Sequence, residues 1–248
     1  MLARIVRRVL RRPRRPTEMG PAAGYDRWSS TYDRETGNIL IDLDEVVFAG
    51  LLERVPLRGK VIADIGCGTG RHWKKILDRE PSELVGYDIS TGMLAQLRRK
   101  YPQAKVYEGS ADRLTHTPDA SCDFVFSTLT LCHLPDADRA IAEWSRVLRA
   151  AGELLLTDYH PATSSSGECS FRSRGEVVTV KLHVHTLASL GEAAARHGLV
   201  VVDLVERVVD ESMKHHYEAS GMLPVFDRMN GRPIVYGLRL RKRESTSS

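Results

Sequence analysis

Three glycines at alternate positions, Gly66, Gly68 and Gly70, follow the apolar run Val61-Ile62-Ala63-Asp64-Ile65 and open a helical stretch. Glycine lets the backbone turn sharply and approach a ligand where a side chain would collide. The next apolar segment, Val85-Gly86-Tyr87-Asp88-Ile89-Ser90, ends in a carboxylate. A carboxylate there can accept hydrogen bonds from both hydroxyls of a ribose, so the two segments together describe a nucleoside-binding edge. A dinucleotide site wants G-x-G-x-x-G around a pyrophosphate. Here the spacing is G-x-G-x-G, and Arg71 holds the completing position. The other reading of Asp88 is a helix cap ahead of Ser90.

Such a site needs parallel strands with helices on both faces, and from Lys60 onward short β-rich runs alternate with helical stretches. Strands are expected at Val61–Ile65, Leu84–Tyr87, Lys105–Glu108, Phe124–Ser127 and Glu153–Thr157, with helices at Arg71–Asp78, Thr91–Lys100 and Asp136–Leu148. Asp136 is placed to cap the last of these. An amphipathic helix over Ile39–Val55 precedes the sheet and is expected to cover one edge of the site. After Pro161 the pattern changes to a serine-rich run, an alternating strand over Val177–His185, a helix over Ser189–His197 and closing strands at Leu199–Val209 and Pro233–Leu240. The expected fold is α/β, a Rossmann-like doubly wound and mostly parallel seven-stranded sheet. It has an N-terminal helical cover and a small insertion after the fifth strand.

The residues that carry this pattern resemble the class I S-adenosylmethionine-dependent methyltransferases, in particular the small-molecule methylases of ubiquinone and menaquinone biosynthesis. The resemblance runs from Tyr25 to Asp158. It rests on Tyr25-Asp26-Arg27-Trp28, Tyr32-Asp33, the loop from Asp64 to Gly70, Asp88, Gly109-Ser110-Ala111-Asp112, Asp123-Phe124-Val125-Phe126-Ser127 and His133-Leu134-Pro135-Asp136. Ala150-Ala151-Gly152 stands where relatives usually carry proline-glycine-glycine. The resemblance implies S-adenosylmethionine as methyl donor, S-adenosylhomocysteine as product and no metal. It implies that Asp64 and the backbone of Gly66, Cys67 and Gly68 hold the methionine end and Asp88 the ribose. Ile89 and Met93 would sandwich the adenine, Asp112 and the Ala111 amide read its edge, and the Ser127 carbonyl receive the amino group. Tyr25 and Tyr32 would close the site from the N-terminal side, with an aromatic face near the sulfonium.

Methyl transfer from a sulfonium depends mainly on holding the acceptor in line, and a base is needed only where the acceptor must lose a proton. His133 and His160, near the ends of the fourth and fifth strands, are the candidates, each with a structural role as the alternative. On the insertion, residues 161–187, His183 and His185 share a strand face with Thr179 and Lys181, while Val178, Val180, Leu182 and Val184 face the other way. Periodicity allows either face to meet the acceptor, with the histidines and Trp28 as candidate contacts. His183, His185, His215 and His216 do not complete a metal-ligand set.

The bulk properties narrow the partners. At 248 residues and 42% hydrophobic content the chain can bury one core plus an extension. Seven arginines, Arg4, Arg7, Arg8, Arg11, Arg12, Arg14 and Arg15, against Glu18 concentrate positive charge in a tail over residues 1–20, and the resemblance implies that residues 21–248 form the methyltransferase domain. The tail fits a membrane-surface contact, a solvated leader or a transit peptide. The rest is slightly acidic, which argues against a broad nucleic-acid-binding face. Ser127-Thr128-Leu129-Thr130 also lacks the Asn/Asp-Pro-Pro-aromatic signature of base amino-methylating enzymes. Cys67, Cys122, Cys132 and Cys169 form no C-x-x-C pair, and no apolar run reaches membrane-spanning length, so a reducing cytoplasm is the expected compartment. A small-molecule or lipid-like acceptor is expected; a nucleic-acid or protein methyltransferase and a non-catalytic binding module are the alternatives. Nothing in the sequence specifies an oligomeric state.

Overall fold

The computed structural model describes residues 16–34, 38–163, 167–173, 175–219, 221 and 223–244. The arginine-rich segment up to residue 15 lies outside the described residues. Along the chain run β1 (Thr17–Met19), α1 (Pro21–Trp28), α2 (Ile39–Leu52), β2 (Val61–Ile65), α3 (Trp73–Leu77), β3 (Glu83–Asp88), α4 (Thr91–Lys100), β4 (Lys105–Glu108) and β5 (Cys122–Thr128). Then come α5 (Ala137–Val147), β6 (Leu148–Tyr159), β7 (Glu168–Ser173), β8 (Glu176–Lys181), α6 (Leu187–Arg196), β9 (Leu199–Val208), α7 (Lys214–Ala219), α8 (Leu223–Met229) and β10 (Pro233–Lys242).

Seven strands form one sheet in the order β4-β3-β2-β5-β6-β10-β9. β10 is antiparallel to both of its neighbours, β6 and β9, and the other pairings are parallel. The order reverses between β2 and β5, which opens a crevice at the carboxyl ends of these strands. Buried strands read as nearly continuous apolar runs, and β2 and β5 are of that kind because helices cover both faces. One core layer gathers Phe48, Leu51, Leu52, Ile62 and Phe126 under α2, and the other gathers Ile65, Val125, Trp144, Leu154 and Leu190 under α5 and α6. The Asp136 side chain caps α5 by accepting from Arg139 N at 3.0 Å, as the sequence leads one to expect.

A second, three-stranded sheet, β1-β8-β7, stands over the crevice. Thr17–Met19 pair in parallel with Val178–Val180, so these residues, within the span expected to be tail, are built into the fold. Helix α1 lies against this sheet at close range: a Cβ on Gly24 would come 2.7 Å from Val180 Cγ2, so only glycine permits the approach. Across the hairpin, Val178 and Val180 face Trp28, Met93 and Phe171 in a small core of their own. The apolar face of the alternating strand is therefore the inward one. The strand also ends at Lys181, short of the expected His185. Leu182 N still donates to Gly167 O across the hairpin, but His183 N donates to Cys132 O, which draws the chain off toward the β5–α5 connection.

A buried ionic cluster fastens α2 to the sheet. Asp44 is fully buried and accepts from Arg71 Nη2, from Thr157 Oγ1 on β6 and from His72 Nε2 at 3.2 Å. Burial alone opposes its charge, but Arg71, His72 and Thr157 outweigh that and hold its carboxyl down at about 2. Removing the carboxylate leaves the Arg71 cation without its buried partner. Asp44→Ala is therefore expected to cost about 3–5 kcal/mol in chemical denaturation. Because this carboxyl is depressed in the folded chain, its contribution is full at neutral pH and is lost as pH falls from about 4 toward 2, a limb the variant should lack.

At the turn within β6 where relatives carry glycine, Ala151 sits at φ 58°. A left-handed conformation costs an L-residue roughly 1–2 kcal/mol. Ala151→Gly is expected to raise the stability by about 0.5–1 kcal/mol, after the greater flexibility of glycine in the unfolded chain is subtracted. An unchanged or lower melting temperature would contradict this account of the turn.

Candidate functional site

The β2 strand ends in a turn that only glycine can make. Gly66 has φ +71°, and a Cβ there would overlap the Thr130 side chain at the tip of β5. With the turn made, Gly66 N and Cys67 N donate to Tyr87 O at 2.7 and 3.0 Å, locking the loop to the end of β3. Asp88 closes the same junction. Its Oδ2 accepts from Gly68 N and its Oδ1 from Ser90 N, both at 2.8 Å. The cap of α4 is not Asp88 but Ser90, whose hydroxyl accepts from Met93 N at 3.1 Å. Asp26 adds to the cap from outside the helix, accepting from Ser90 Oγ at 2.6 Å and Gly92 N at 2.8 Å. Asp33 accepts from Thr69 Oγ1 at 2.6 Å and pairs with Lys100 at 2.8 Å.

A cavity of about 380 Å³ opens between the sheet edge and the cover. On the sheet side it is lined by Gly66, Gly68, Asp88, Ile89, Ala111 and Leu129, and on the cover side by Tyr25, Trp28, Tyr32, Ile41, Cys169 and Phe171. Met93 and His133 lie between. The cover side is an aromatic assembly. Trp28 stacks on Phe171 with ring centres 4.2 Å apart and planes 5° from parallel, and Tyr32 meets Trp28 edge-on at 4.8 Å. Tyr25 Oη lies 2.8 Å from His133 Nε2, with the rings in a T-shaped arrangement at 5.2 Å. Burial lowers His133 to about 4 and pushes the Tyr25 phenol well up, so at neutral pH an uncharged phenol faces an uncharged imidazole. Burial likewise raises Asp88, to about 6, although the amides of Ser90 and Gly68 work against it.

Of the residues expected at the site, Tyr25, Tyr32, Gly66, Gly68, Asp88, Ile89, Met93, Ala111, Trp28 and His133 line this cavity. The others do not. Asp64 is buried beneath it and accepts from the Trp73 indole at 2.8 Å. The Cys67 side chain points under the loop, toward Gly86. Asp112 is turned to Arg139, 3.0 Å away, and to Ser110. Ser127 is buried one residue short of the lining, which passes instead to Thr128, Leu129 and Thr130.

His160 is nearly buried beyond the cavity, where its Nε2 meets Glu206 on β9 at 2.8 Å and its Nδ1 accepts from Ala162 N. That makes it a clamp between β6 and β9. His185 Nε2 donates to Leu134 O at 2.9 Å, and His183 lies beside it behind Cys132. Both histidines leave the cavity because the strand has ended at Lys181 and the chain beyond it is bonded to Cys132 and Leu134.

Sequence reasoning missed Leu129, Tyr159, Cys169, Phe171 and Ile41. Leu129 has φ 50°, a left-handed conformation held in part by its N–H donating to Thr157 O at 2.9 Å. Such a residue at a ligand-facing strand tip is a place where strain and function coincide. Only the alternation Cys169, Phe171, Ser173 could have signalled the inward face of β7. Among the described residues no group of His, Cys, Asp or Glu is placed to hold a metal, and no helix is long and apolar enough to cross a membrane.

Residues 63–156 match the family model of a methyltransferase domain. An uncharacterized methyltransferase of Emericella nidulans is 28% identical over 233 residues, covering 76% of this chain and 81% of that protein. The malonyl-acyl-carrier-protein O-methyltransferase of Yersinia pestis is 30% identical over 145 residues, covering 55% of this chain and 49% of that protein, so the match spans about half of that relative. The crystal structure of an S-adenosylmethionine-dependent methyltransferase from Mesorhizobium loti superposes with a TM-score of 0.62 at 20% identity, covering 79% of this chain and 97% of that one. These likenesses make residues 63–156 a methyltransferase domain, and the parallel sheet with its reversal at β2 and β5 and the glycine turn locked to β3 give the chain the fold of S-adenosylmethionine-dependent methyltransferases.

Proposed function

We propose that the chain transfers a methyl group from S-adenosylmethionine to a small-molecule acceptor held under the aromatic cover. The observation that carries this reading is Asp88. Its carboxylate lies on the cavity wall at the sheet edge, with one backbone amide on each oxygen and further lone pairs left for two hydroxyl donors. The site fits the cofactor in a second respect: a Cβ on Gly68 would meet nothing closer than Gly66 O at 4.0 Å, so the backbone there faces open space. In this reading Asp88 takes the ribose, Ile89 and Met93 the adenine faces and Ala111 its edge. Gly66 and Gly68 take the methionine end, and Thr128 and Leu129 replace Ser127 as the strand-tip contacts. S-adenosylmethionine supplies an electrophilic methyl group and leaves as S-adenosylhomocysteine. Tyr25 and Tyr32 turn aromatic surface toward that positive centre. His133, uncharged and bonded to Tyr25, is the base in reach of the cavity; His160 is not part of the machinery.

The small-molecule reading rests on closure. α1 and the β7–β8 hairpin roof the cavity, which leaves little room for a nucleic-acid strand to reach the methyl group. The hairpin lies within residues 161–187, and in this reading that segment selects the acceptor. Calorimetric titration with the donor, followed by methyl-transfer assays against separate metabolite, lipid and nucleic-acid extracts, tests this reading. Transfer to the metabolite or lipid pool supports it, transfer to nucleic acid alone overturns the acceptor class, and donor binding without any transfer favours a non-catalytic module.

Asp88→Ala is expected to weaken donor binding by about 2–4 kcal/mol, since two charge-assisted bonds are lost. The carboxylate must be ionised to accept them, and it titrates at about 6 in the free chain. Donor affinity should therefore fall as pH drops below about 6, and Asp88→Asn should flatten that dependence. A pH-dependent affinity that survives Asp88→Asn would move the ribose contact elsewhere.

For the proton path, Tyr25→Phe and His133→Asn are each expected to lower kcat tenfold or more with metabolite acceptors, at little cost in donor affinity. At saturating donor, kcat should fall only toward pH 4, where His133 takes up a proton, while kcat/KM for the donor follows Asp88 near pH 6. Equal kcat in the His133→Asn variant would leave that histidine a purely structural role.

A further inference from the structure

We propose that Arg71 is a positioning residue for methyl transfer, a strut from the glycine loop that fixes the Tyr32 ring against the positive sulfur of the donor. This role rests on the methyl-transfer reading above and adds a residue to it. Arg71 follows Gly70 directly and stands where a dinucleotide motif would carry its third glycine. It does not line the cavity, so it acts on a ligand only through the residues it holds. Its guanidinium donates to Asp44 and, at 3.3 Å, to Glu45, both on α2. It also donates to Ile41 O at 3.4 Å and to the Tyr32 hydroxyl. Tyr32 and Ile41 do line the cavity, on its cover side.

The direction of the bond to Tyr32 is fixed, because a guanidinium carries donors and no acceptor. Burial pushes the Tyr32 phenol up, and Arg71 works against that rise. The next residue of the same turn is held from the same loop: Asp33 accepts from Thr69 Oγ1 at 2.6 Å. Thr69 and Arg71 on the loop thus grip Asp33 and Tyr32 on the cover. The Tyr32 ring is fixed at its oxygen by Arg71 and at its body by Trp28, which it meets at 4.8 Å with planes 77° apart. A ring pinned at both ends has little freedom to turn, and a fixed aromatic surface is what attraction to a nearby cation requires.

Lysine cannot do the same work. An ammonium is a point charge on a flexible stem, and it lacks the planar fork that reaches Asp44 with one nitrogen while others meet Tyr32 and Ile41. In Arg71→Lys a cation remains for Asp44, while the ring is released.

The test is calorimetric titration of the full chain with S-adenosylmethionine and with S-adenosylhomocysteine, repeated in Arg71→Lys, Tyr32→Phe and the double variant. The two ligands differ by one methyl group and by the charge on sulfur, so the ratio of their dissociation constants reads the contact between ring and cation. The unaltered chain is expected to favour S-adenosylmethionine. Arg71→Lys should weaken S-adenosylmethionine binding about fivefold and leave S-adenosylhomocysteine within about twofold. Tyr32→Phe keeps the ring and the ion pair but removes the oxygen that Arg71 holds, and it should reproduce that loss. The double variant should lose no more than either single one, because both break one link. Equal weakening of both ligands by Arg71→Lys, or no weakening of either, overturns the proposal. So do losses that add in the double variant, or an unaltered chain without preference between the ligands. If Arg71→Lys does not fold, Tyr32→Phe decides alone, and an unchanged preference there overturns the proposal. If neither ligand binds the unaltered chain, the failure lies in the underlying methyl-transfer reading.

Discussion

The first amides of α4 need acceptors that the helix itself cannot supply, and one of those acceptors comes from a different part of the chain. Asp26, on α1, takes the Gly92 N–H and the Ser90 hydroxyl at the head of α4. Two needs are met by one carboxylate: the exposed donors of a helix start are satisfied, and a negative charge sits at the positive end of the helix dipole. The consequence is positional. With Asp26 fixed, Tyr25 and Trp28 on the same short helix must face the sheet edge, and the hairpin that packs on α1 follows them. Asp33 adds a second attachment, to Thr69 in the glycine loop and to Lys100 at the far end of α4. The aromatic roof is thus an attachment pinned by carboxylates to the loop and helix proposed to hold the cofactor.

The carboxylates below that roof behave in two opposite ways, and the difference follows from what each one touches. Asp44 has Arg71 against it and is held near 2. Asp64, Asp88 and Asp158 are buried with only neutral donors in hydrogen-bonding contact: the Trp73 indole, the Gly68 and Ser90 amides, and the Cys132 and Tyr159 amides. All three are pushed up to about 6. Burial without a paired cation makes negative charge costly, and an incoming cation lowers that cost. A crevice edge built this way is electrostatically suited to a positively charged sulfonium donor before any side chain moves. The same edge turns an anion away.

Much of the parallel half was legible in the sequence because both of its signals are local. Apolar continuity marks buried strands, and glycine at a turn has few other uses, so β2 to β5, the Gly66 turn and Asp88 could be placed from residue types alone. The Asp136 cap belongs with them. Legibility ended where an outcome depended on partners distant in sequence. Asp64 lies in the expected strand, yet its side chain points into the core because Trp73 claims it, and Ser127, expected to act through its carbonyl, has its side chain enclosed in the sheet. The alternation over Val177–His185 left two orientations open, and the choice was made by Trp28 and Phe171, which bury the valine face. No local signal forecast that His183 N would bond to Cys132 O and end the strand, nor that Leu129 would be held left-handed over the site.

This division of legibility is also a division of labour. The matched family region, residues 63–156, contains the glycine turn, Asp88, Met93, Leu129 and His133. Tyr25, Trp28, Tyr32, Ile41, Cys169 and Phe171 all lie outside it. The contacts proposed for the donor are thus drawn from the part of the chain shared with other methyltransferases, where the sheet topology fixes the crevice. The surface that would meet the acceptor comes from α1, α2 and the hairpin, elements held to the core by a few carboxylates and by side-chain packing. Such attachments can change their lining residues without disturbing the sheet. Likeness to relatives therefore constrains the donor far more tightly than the acceptor. Among the described residues that cover offers an aromatic wall without a cationic side chain, and a tyrosine hydroxyl paired with a buried imidazole.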